Sequence, residues 1–232
     1  MKNTLIVLLG PTGVGKTDAA LEIARQLDCE IISSDSRQFY REMKIGTAVP
    51  SDEQLAQVRH HFIRFISARK YYSSSLYERD VLDLLPSLFL KNRIALMTGG
   101  SGMYIDAVCD GIDDIPDIDP EIRNRYISRL KEEGIESLRS ELKLLDQEHY
   151  SRVDLNNSKR ILRALEICQA TGLPYSSFLK KQKRIRDFRI IKIGLERDRI
   201  ELYSRIDSRV DDMLIEGLEN EVMLLYEFRN LN

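Results

Sequence analysis

The sequence predicts an α/β fold, in which a parallel sheet carries helices on both faces and a mainly helical domain is inserted. Three observations support this prediction. Short apolar runs, such as 4–9 and 93–98, alternate with segments of helical spacing, which is the pattern of βα units. The first run ends in a glycine-rich turn that leads directly into a helix. A later stretch, 114–187, shows helical spacing without any such strand.

Each element follows from a local pattern of apolar residues. The strands are predicted over 4–9, 30–34, 93–98 and 189–195. Helices of the sheet domain are predicted over 17–27 and 75–89, with one or two more over 200–226. Helices of the insertion are predicted over 121–133, 135–145 and 158–169. The predicted domains are therefore a core of 1–113, a helical insertion of 114–187, and a return strand and helix of 188–232.

The composition excludes several classes of protein. The 232 residues are 43% hydrophobic and 31% charged with a net charge of −2, so a core can form and disorder is not expected. No apolar run is long enough to cross a membrane. The first residues lack signal-peptide character, so a cytoplasmic protein is expected. Three cysteines that lie far apart in the sequence support neither a disulfide framework nor a zinc site.

Basic residues are concentrated in 151–210, which contains 15 Lys and Arg but only 7 Asp and Glu. The densest part of this stripe contains Lys180, Lys181, Lys183, Arg184, Arg186 and Arg189. Such a stripe suits a polyanion, because each neutralised phosphate releases counterions. A solvated helix face or connector would give the same pattern, and the charge run alone favours that interpretation.

The most informative motif lies between the first strand and the first helix, where it matches G-x-x-x-x-G-K-[ST] in full. Its backbone N–H groups and the helix N-terminus bind phosphate oxygens. Lys16 would add a cation at the outer phosphate, and the Thr17 hydroxyl would ligate Mg²⁺. The motif indicates a P-loop NTPase-like core and a di- or triphosphate ligand. The predicted phosphate-binding residues are Gly10, Pro11, Thr12, Gly13, Val14, Gly15, Lys16 and Thr17.

The ends of the second and third strands separate this sequence from ordinary ATPases. An ATPase normally ends a later strand in an acid that holds Mg²⁺, whereas 93–98 ends in two glycines and Ser101. The acid near the phosphates is Asp35, after the second strand. Loops after parallel strands converge on one crevice, so Asp35 and Ser101 should face Lys16 and Thr17. A carboxylate there can act as a general base, and a turn or capping role is the structural alternative.

The segment 32–48, together with the P-loop, resembles the tRNA dimethylallyltransferases, also called tRNA isopentenyltransferases. Further matches are His60-His61, 99–104, 119–123, 157–160 with 163–166, and 202–210. The resemblance covers essentially the whole chain, although the family's C-terminal tail is absent. The sequence departs from the family pattern at Phe39, which replaces an aliphatic residue, and at Val49, Arg64 and Lys159.

The resemblance implies transfer of a dimethylallyl group from dimethylallyl diphosphate to N6 of an adenine next to a tRNA anticodon. Asp35 would be the general base, and Lys16, Thr12, Thr17 and Arg209 would stabilise the leaving pyrophosphate together with Mg²⁺ held by Thr17. The implied tRNA-binding residues are Asp35, Ser36, Arg37, Gln38, Ser101, Arg123, Lys159, Arg160, Ile161, Leu162 and Arg163. The implied partners are dimethylallyl diphosphate and a tRNA anticodon stem-loop, and the protein is expected to be a monomer.

Two other functions stay open on the sequence. A nucleotide or small-molecule kinase would share the P-loop and an acid after the second strand. A truncated, non-catalytic RNA-binding module would explain the missing tail. Individual residues also have structural alternatives: surface ion pairs for Arg123, Arg160, Arg163 and Arg209, a helix-end pair for His60-His61, and core aromatics for Tyr40 and Tyr104.

Overall fold

The computed structural model describes residues 2–113, 118–179 and 183–229. The chain divides into two compact units, Met1–Ile112 with Arg184–Asn232, and Asp113–Lys183. The breaks predicted from the sequence, after 113 and after 187, differ from these bounds by one residue and by four residues. That these segments act as separate functional domains stays a prediction. Lys180 and Lys181 of the predicted basic stripe lie outside the described residues.

The first unit is built on a parallel sheet. Within the described residues it has five strands in the order β3-β2-β4-β1-β5. They are β1 (Thr4–Leu9), β2 (Ile31–Ser33), β3 (His60–His61), β4 (Ile94–Thr98) and β5 (Arg189–Gly194). Leu5 on the central strand pairs with Ala95 on one side and Ile190 on the other. The short strand β3 was not predicted, and the helix-end interpretation of His60-His61 is wrong because both residues pair with β2 at the sheet edge.

The first unit contains the predicted helices and two shorter ones, over 52–57 and 102–110, that were not predicted. Those of the first unit are α1 (Lys16–Leu27), α2 (Asp52–Gln57), α3 (Ser74–Lys91), α4 (Gly102–Asp110), α9 (Arg199–Ile215) and α10 (Leu218–Leu225). The segment predicted as one or two helices over 200–226 is two, because Gly217 between α9 and α10 has a φ of 97°. None of the described helices is both long and apolar enough to cross a membrane.

Apolar side chains cover both faces of the sheet. Alternate residues of a strand point to opposite faces, so Leu5 and Val7 of β1 join one buried cluster and Leu8 joins another. The first cluster includes Val81 of α3 and Ile105 of α4, whereas the second is covered by α1. The predicted α/β class, a parallel sheet with helices on both faces, is therefore confirmed.

The second unit is helical. Its helices are α5 (Pro120–Glu133), α6 (Ile135–Leu145), α7 (Gln147–Tyr150) and α8 (Ser158–Thr171). Tyr126, Leu138 and Leu142 form its core together with Ile161 and Leu165 of α8. The apolar residues of α8 recur at helical spacing, so one face of that helix is buried while Lys159 and Arg160 stay exposed.

Arg186 belongs to a buried ion pair and not to an exposed basic stripe. Its Nη2 donates to Oε1 of Glu78 at 2.6 Å, and the two side chains are only 9% and 7% exposed. The same guanidinium donates to the backbone carbonyls of Ala107 and Val108. Neither polyanion binding nor a solvated face describes this residue, because its donors are used inside the first unit. The neighbouring Arg184 is half-exposed and lies 3.6 Å from the same carboxylate.

We expect Arg186→Lys to lower the free energy of unfolding by about 2 kcal/mol, because an ammonium cannot keep the carboxylate and both carbonyl contacts. Arg184→Lys is the matched control, since it keeps the charge at a half-exposed position, and its cost should stay below about 0.5 kcal/mol. Urea unfolding of both variants measures the difference. Equal losses would show that the buried geometry contributes nothing of its own.

Candidate active site

The glycine-rich turn before α1 has backbone conformations that glycine adopts more easily than other residues. Gly10, Gly13 and Gly15 have φ values of 152°, 81° and 101°. A Cβ on Gly10 would lie 2.9 Å from the carbonyl oxygen of Leu195, and one on Gly13 would lie 2.9 Å from Ile206. Backbone conformation therefore disfavours a side chain at all three positions, and at Gly10 and Gly13 there is also no space for one.

Lys16 lies at the centre of this site. Its Nζ donates to the carbonyls of Gly10 and Pro11 at 2.9 and 2.8 Å, so the ammonium is held against the loop itself. Burial lowers the pKa of Lys16, the carboxylate of Asp35 raises it, and the guanidinium of Arg209 lowers it. Asp35 and Arg209 therefore both lie close enough to Lys16 to act on its charge.

Helix α9 forms the opposite wall of the phosphate site. A cavity of about 430 Å³ is lined by Thr12, Lys16 and Thr17 on the loop side and by Ser208 and Arg209 on the α9 side. Arg209 was predicted from the resemblance. Its position in this wall places a second cation beside the glycine-rich turn.

Two further arginines hold the loop, and sequence reasoning missed both as site residues. Arg205 Nε donates to the carbonyl of Gly13 at 2.8 Å, and Arg197 Nε donates to that of Val14 at 3.3 Å. Arg205 precedes Arg209 by four residues and so shares its helix face, which is a signal the sequence does carry. No local pattern points to Arg197.

Asp35 forms a turn and keeps part of its carboxylate available. Oδ1 accepts the N–H of Arg37 at 3.0 Å, and the Asp35 carbonyl accepts the N–H of Gln38 at 3.1 Å. Oδ2 has no hydrogen-bond partner among the described residues and lies 3.2 Å from the position that a Cβ on Gly100 would take. The turn role weighed as an alternative is therefore real, and it leaves one oxygen for another task.

The loops after β2 and β4 are joined, as the convergence of parallel strand ends predicts. The N–H of Ser36 donates to Ser101 Oγ at 2.9 Å, and the two hydroxyls lie 2.9 Å apart. Gln38 donates both amide hydrogens to the carbonyls of Thr47 and Ala48. Ser36 and Ser101 thus join the loops after β2 and β4, whereas Gln38 binds a later part of the loop after β2. All three residues were predicted to bind tRNA.

The predicted tRNA-binding residues of the second unit have mixed environments. Arg123 and Arg163 lie 3.9 and 3.5 Å from the carboxylate of Glu166, which is buried, so the ion-pair interpretation holds for both. The side chains of Ile161 and Leu162 are 0% and 9% exposed in the core of this unit, and RNA contact at these two positions stays a prediction. Of the two tyrosines, Tyr104 is a buried core aromatic, whereas Tyr40 is half-buried.

The lowered pKa of Lys16 predicts a pH dependence of anion binding. The ammonium loses its proton at a lower pH than an ordinary lysine, whose pKa is 10.5. Affinity for inorganic pyrophosphate should be full below this lowered pKa and fall by up to about tenfold per pH unit above it. Lys16→Arg stays charged and reports how pH changes the ligand itself. Calorimetric titration of both proteins checks the prediction, which fails if the two pH profiles coincide.

Comparisons with known proteins identify the family of this chain. The family model described as IPP transferase matches residues 38–232. The tRNA dimethylallyltransferase 1 of Bacteroides fragilis is 53% identical over 229 residues, which are 99% of this chain and 76% of that protein. The tRNA dimethylallyltransferase 2 of Porphyromonas gingivalis is 54% identical over 230 residues, which are 99% of this chain and 77% of that protein.

Solved structures show the same similarity. The full-length tRNA isopentenylpyrophosphate transferase of Bacillus halodurans is 33% identical with a TM-score of 0.63, over 98% of this chain and 71% of that one. A eukaryotic dimethylallyltransferase, described as acting on tRNA, is 26% identical with a TM-score of 0.81, over 99% of this chain and 57% of that one. The chain belongs to the IPP transferase family, the tRNA dimethylallyltransferases.

Proposed function

We propose that the chain transfers a dimethylallyl group from dimethylallyl diphosphate to N6 of an adenine next to a tRNA anticodon. The observation that carries this proposal is the cavity that the glycine-rich loop and Arg209 line, with Asp35 on a loop that is hydrogen-bonded to Ser101 at the same ends of the parallel strands. Family membership supports prenyl transfer over phosphoryl transfer, since the relatives found are tRNA dimethylallyltransferases. We also expect the protein to act as a monomer.

The leaving pyrophosphate would be stabilised by charges that are already in place. The N–H groups of the glycine-rich turn, the ammonium of Lys16 and the guanidinium of Arg209 line the cavity. Fixed dipoles and cations stabilise charge that develops as the C–O bond breaks, because they need no reorganisation during the reaction. Arg205 would contribute through the loop, since it binds the Gly13 carbonyl. Thr12 would contact the same phosphates.

The oxygen donors of the cavity fit Mg²⁺ bound mainly through the diphosphate. Thr17 would hold the ion, with Asp18, Ser208 and Asp212 in the same cavity wall. The described residues contain no group of three acidic, histidine or cysteine side chains that could hold a metal. That donor set suits Mg²⁺, which keeps several waters and takes one or two protein ligands plus substrate phosphates. When bound, the ion would offset negative charge on the pyrophosphate.

The nucleophile needs help from Asp35. The adenine amine is weakly nucleophilic, because its lone pair is delocalised into the ring, so positioning and a proton acceptor both matter. Oδ2 of Asp35 would take the proton, while Oδ1 stays bound to the Arg37 N–H. The adenine must leave its stack to reach such a site. Lys159 and Arg160, which are exposed on α8, would bind RNA phosphates.

One incubation tests the proposal. The protein is incubated with Mg²⁺, dimethylallyl diphosphate and an unmodified anticodon stem-loop whose loop is rich in adenine. The mass of the RNA is then measured by mass spectrometry. A gain of one five-carbon unit, located on N6, is expected. RNA retention without this gain would support the non-catalytic RNA-binding alternative. Thermal protection by ATP and none by dimethylallyl diphosphate would support the kinase.

A further inference from the structure

A carboxylate on the short helix α10 is bound by three consecutive backbone N–H groups of a turn that is distant in sequence. Glu221 on α10 accepts the N–H groups of Lys44 and Ile45 on Oε2 at 2.8 and 2.7 Å, and that of Gly46 on Oε1 at 2.9 Å. Successive N–H groups that converge in this way make a concave anion site. Here the anion is supplied by the chain itself, from 175 to 177 residues away in sequence.

The recipient of these contacts is a compact turn, 43–48, which we call the 43–48 turn. The Thr47 hydroxyl donates back to the Met43 carbonyl at 3.1 Å, and the Ala48 N–H donates to that of Ile45 at 2.9 Å. Ala48 has a φ of 46°, a left-handed conformation that a non-glycine residue keeps when its surroundings hold it. A Cβ on Gly46 would lie 3.1 Å from Leu218, so α10 packs closely on this turn.

Hydrogen bonds through Gln38 connect the 43–48 turn to Asp35. Gln38 Nε2 donates to the carbonyls of Thr47 and Ala48 at 3.1 and 3.0 Å. The Gln38 N–H donates to the Asp35 carbonyl, and its Oε1 accepts from the Ser33 hydroxyl. A continuous set of hydrogen bonds therefore runs from Glu221 through the 43–48 turn and Gln38 to the turn that presents the Asp35 carboxylate.

We propose that Glu221 is a positioning residue for prenyl transfer, a role that rests on the function proposed above. Its carboxylate holds the backbone conformation of the 43–48 turn. The carbonyls of that turn orient the Gln38 amide, and Gln38 in turn orients the backbone at Asp35. Among the described residues, the hydrogen-bond partners of Glu221 are Lys44, Ile45 and Gly46, and none of them lines the phosphate cavity of about 430 Å³. Lys44 and Ile45 line a cavity together with Thr17 and Arg209, so the effect of Glu221 should be larger on the orientation of the proton acceptor than on diphosphate binding.

The test compares Glu221→Gln with Glu219→Gln. Glutamine replaces one acceptor oxygen by an NH₂ group that cannot accept, so at least one N–H of the turn loses its partner. Glu219 is exposed on the same helix and has no hydrogen bond or ion pair with the described residues, and its change removes the same charge. In Glu221→Gln, kcat should fall about tenfold while the KM for dimethylallyl diphosphate changes by less than about twofold. Glu219→Gln should match the wild type in both.

Amide hydrogen exchange provides a readout that does not depend on activity. In Glu221→Gln the N–H groups of 44–46 and those of Arg37 and Gln38 should exchange about tenfold faster, with those of 13–17 unchanged. Unchanged exchange at Arg37 and Gln38 overturns the proposal, even if 44–46 exchange faster, and so does a wild-type kcat. Wild-type protein that fails to prenylate the stem-loop would instead refute the proposed function, and hydrogen exchange would still decide whether Glu221 orders the Asp35 turn.

Discussion

Replacing Asp35 with asparagine should lower the turnover number for prenyl transfer by about 10²-fold or more. Asparagine keeps an oxygen that accepts the Arg37 N–H, so the turn observed at Oδ1 survives the change. What is lost is the ability to take a proton from the adenine amine. Single-turnover transfer to an anticodon stem-loop measures the chemical step directly, because product release does not enter the rate.

The controls for this variant separate chemistry from binding and folding. Asp83→Asn removes an acid from an exposed position on α3 and should leave turnover at the wild-type value. The affinity of Asp35→Asn for the stem-loop should stay close to that of the wild type. Asparagine also removes the negative charge that raises the pKa of Lys16, so that pKa should fall further. Unchanged turnover in Asp35→Asn would refute the general-base role.

The parts of the fold that were predictable are those whose signal is local. The strand β1, the glycine-rich loop and α1 follow one another without interruption, so an apolar run, a motif and a helical period all coincide. The edge strand β3 has two residues, which is too short for any alternation to show. Helix α2 was missed for a similar reason, since its six residues are mostly exposed and lack an apolar face.

The parts of the site that were not predictable depend on residues far apart in the chain. Arg186 was counted as part of a basic stripe, because nothing near it in sequence reveals the Glu78 carboxylate 108 residues away. Glu221 gave no signal at all. The burial of Ile161 has another reason: a family resemblance marks a segment, whereas the helical period decides which of its side chains face inward. Asp35 was found because a topological rule, and not a local pattern, brings strand ends together.

Replacing Phe39 with alanine should lower the free energy of unfolding by about 3–5 kcal/mol. The Phe39 ring is fully buried and lies 5.2 to 5.8 Å, between centroids, from the rings of Phe65, Tyr72, Tyr77 and Tyr104. Alanine would leave a cavity among large side chains that cannot collapse together. Urea unfolding measures the loss, and a cost below about 1 kcal/mol would show that the aromatic cluster lies outside the cooperative core.

The leucine variant separates the volume of Phe39 from its ring geometry. The family usually has an aliphatic residue at this position, and leucine restores much of the lost volume without any edge-to-face contact. We therefore expect Phe39→Leu to cost about 1–2 kcal/mol. The ring of Tyr77 stacks on that of Phe39, and the Tyr77 hydroxyl donates to the Ser33 carbonyl at 2.8 Å. The cluster thus supports the strand end that precedes Asp35. We therefore expect Phe39→Leu to fold and to have a lower turnover number than the wild type. A wild-type turnover number would show that the cluster has a purely structural role.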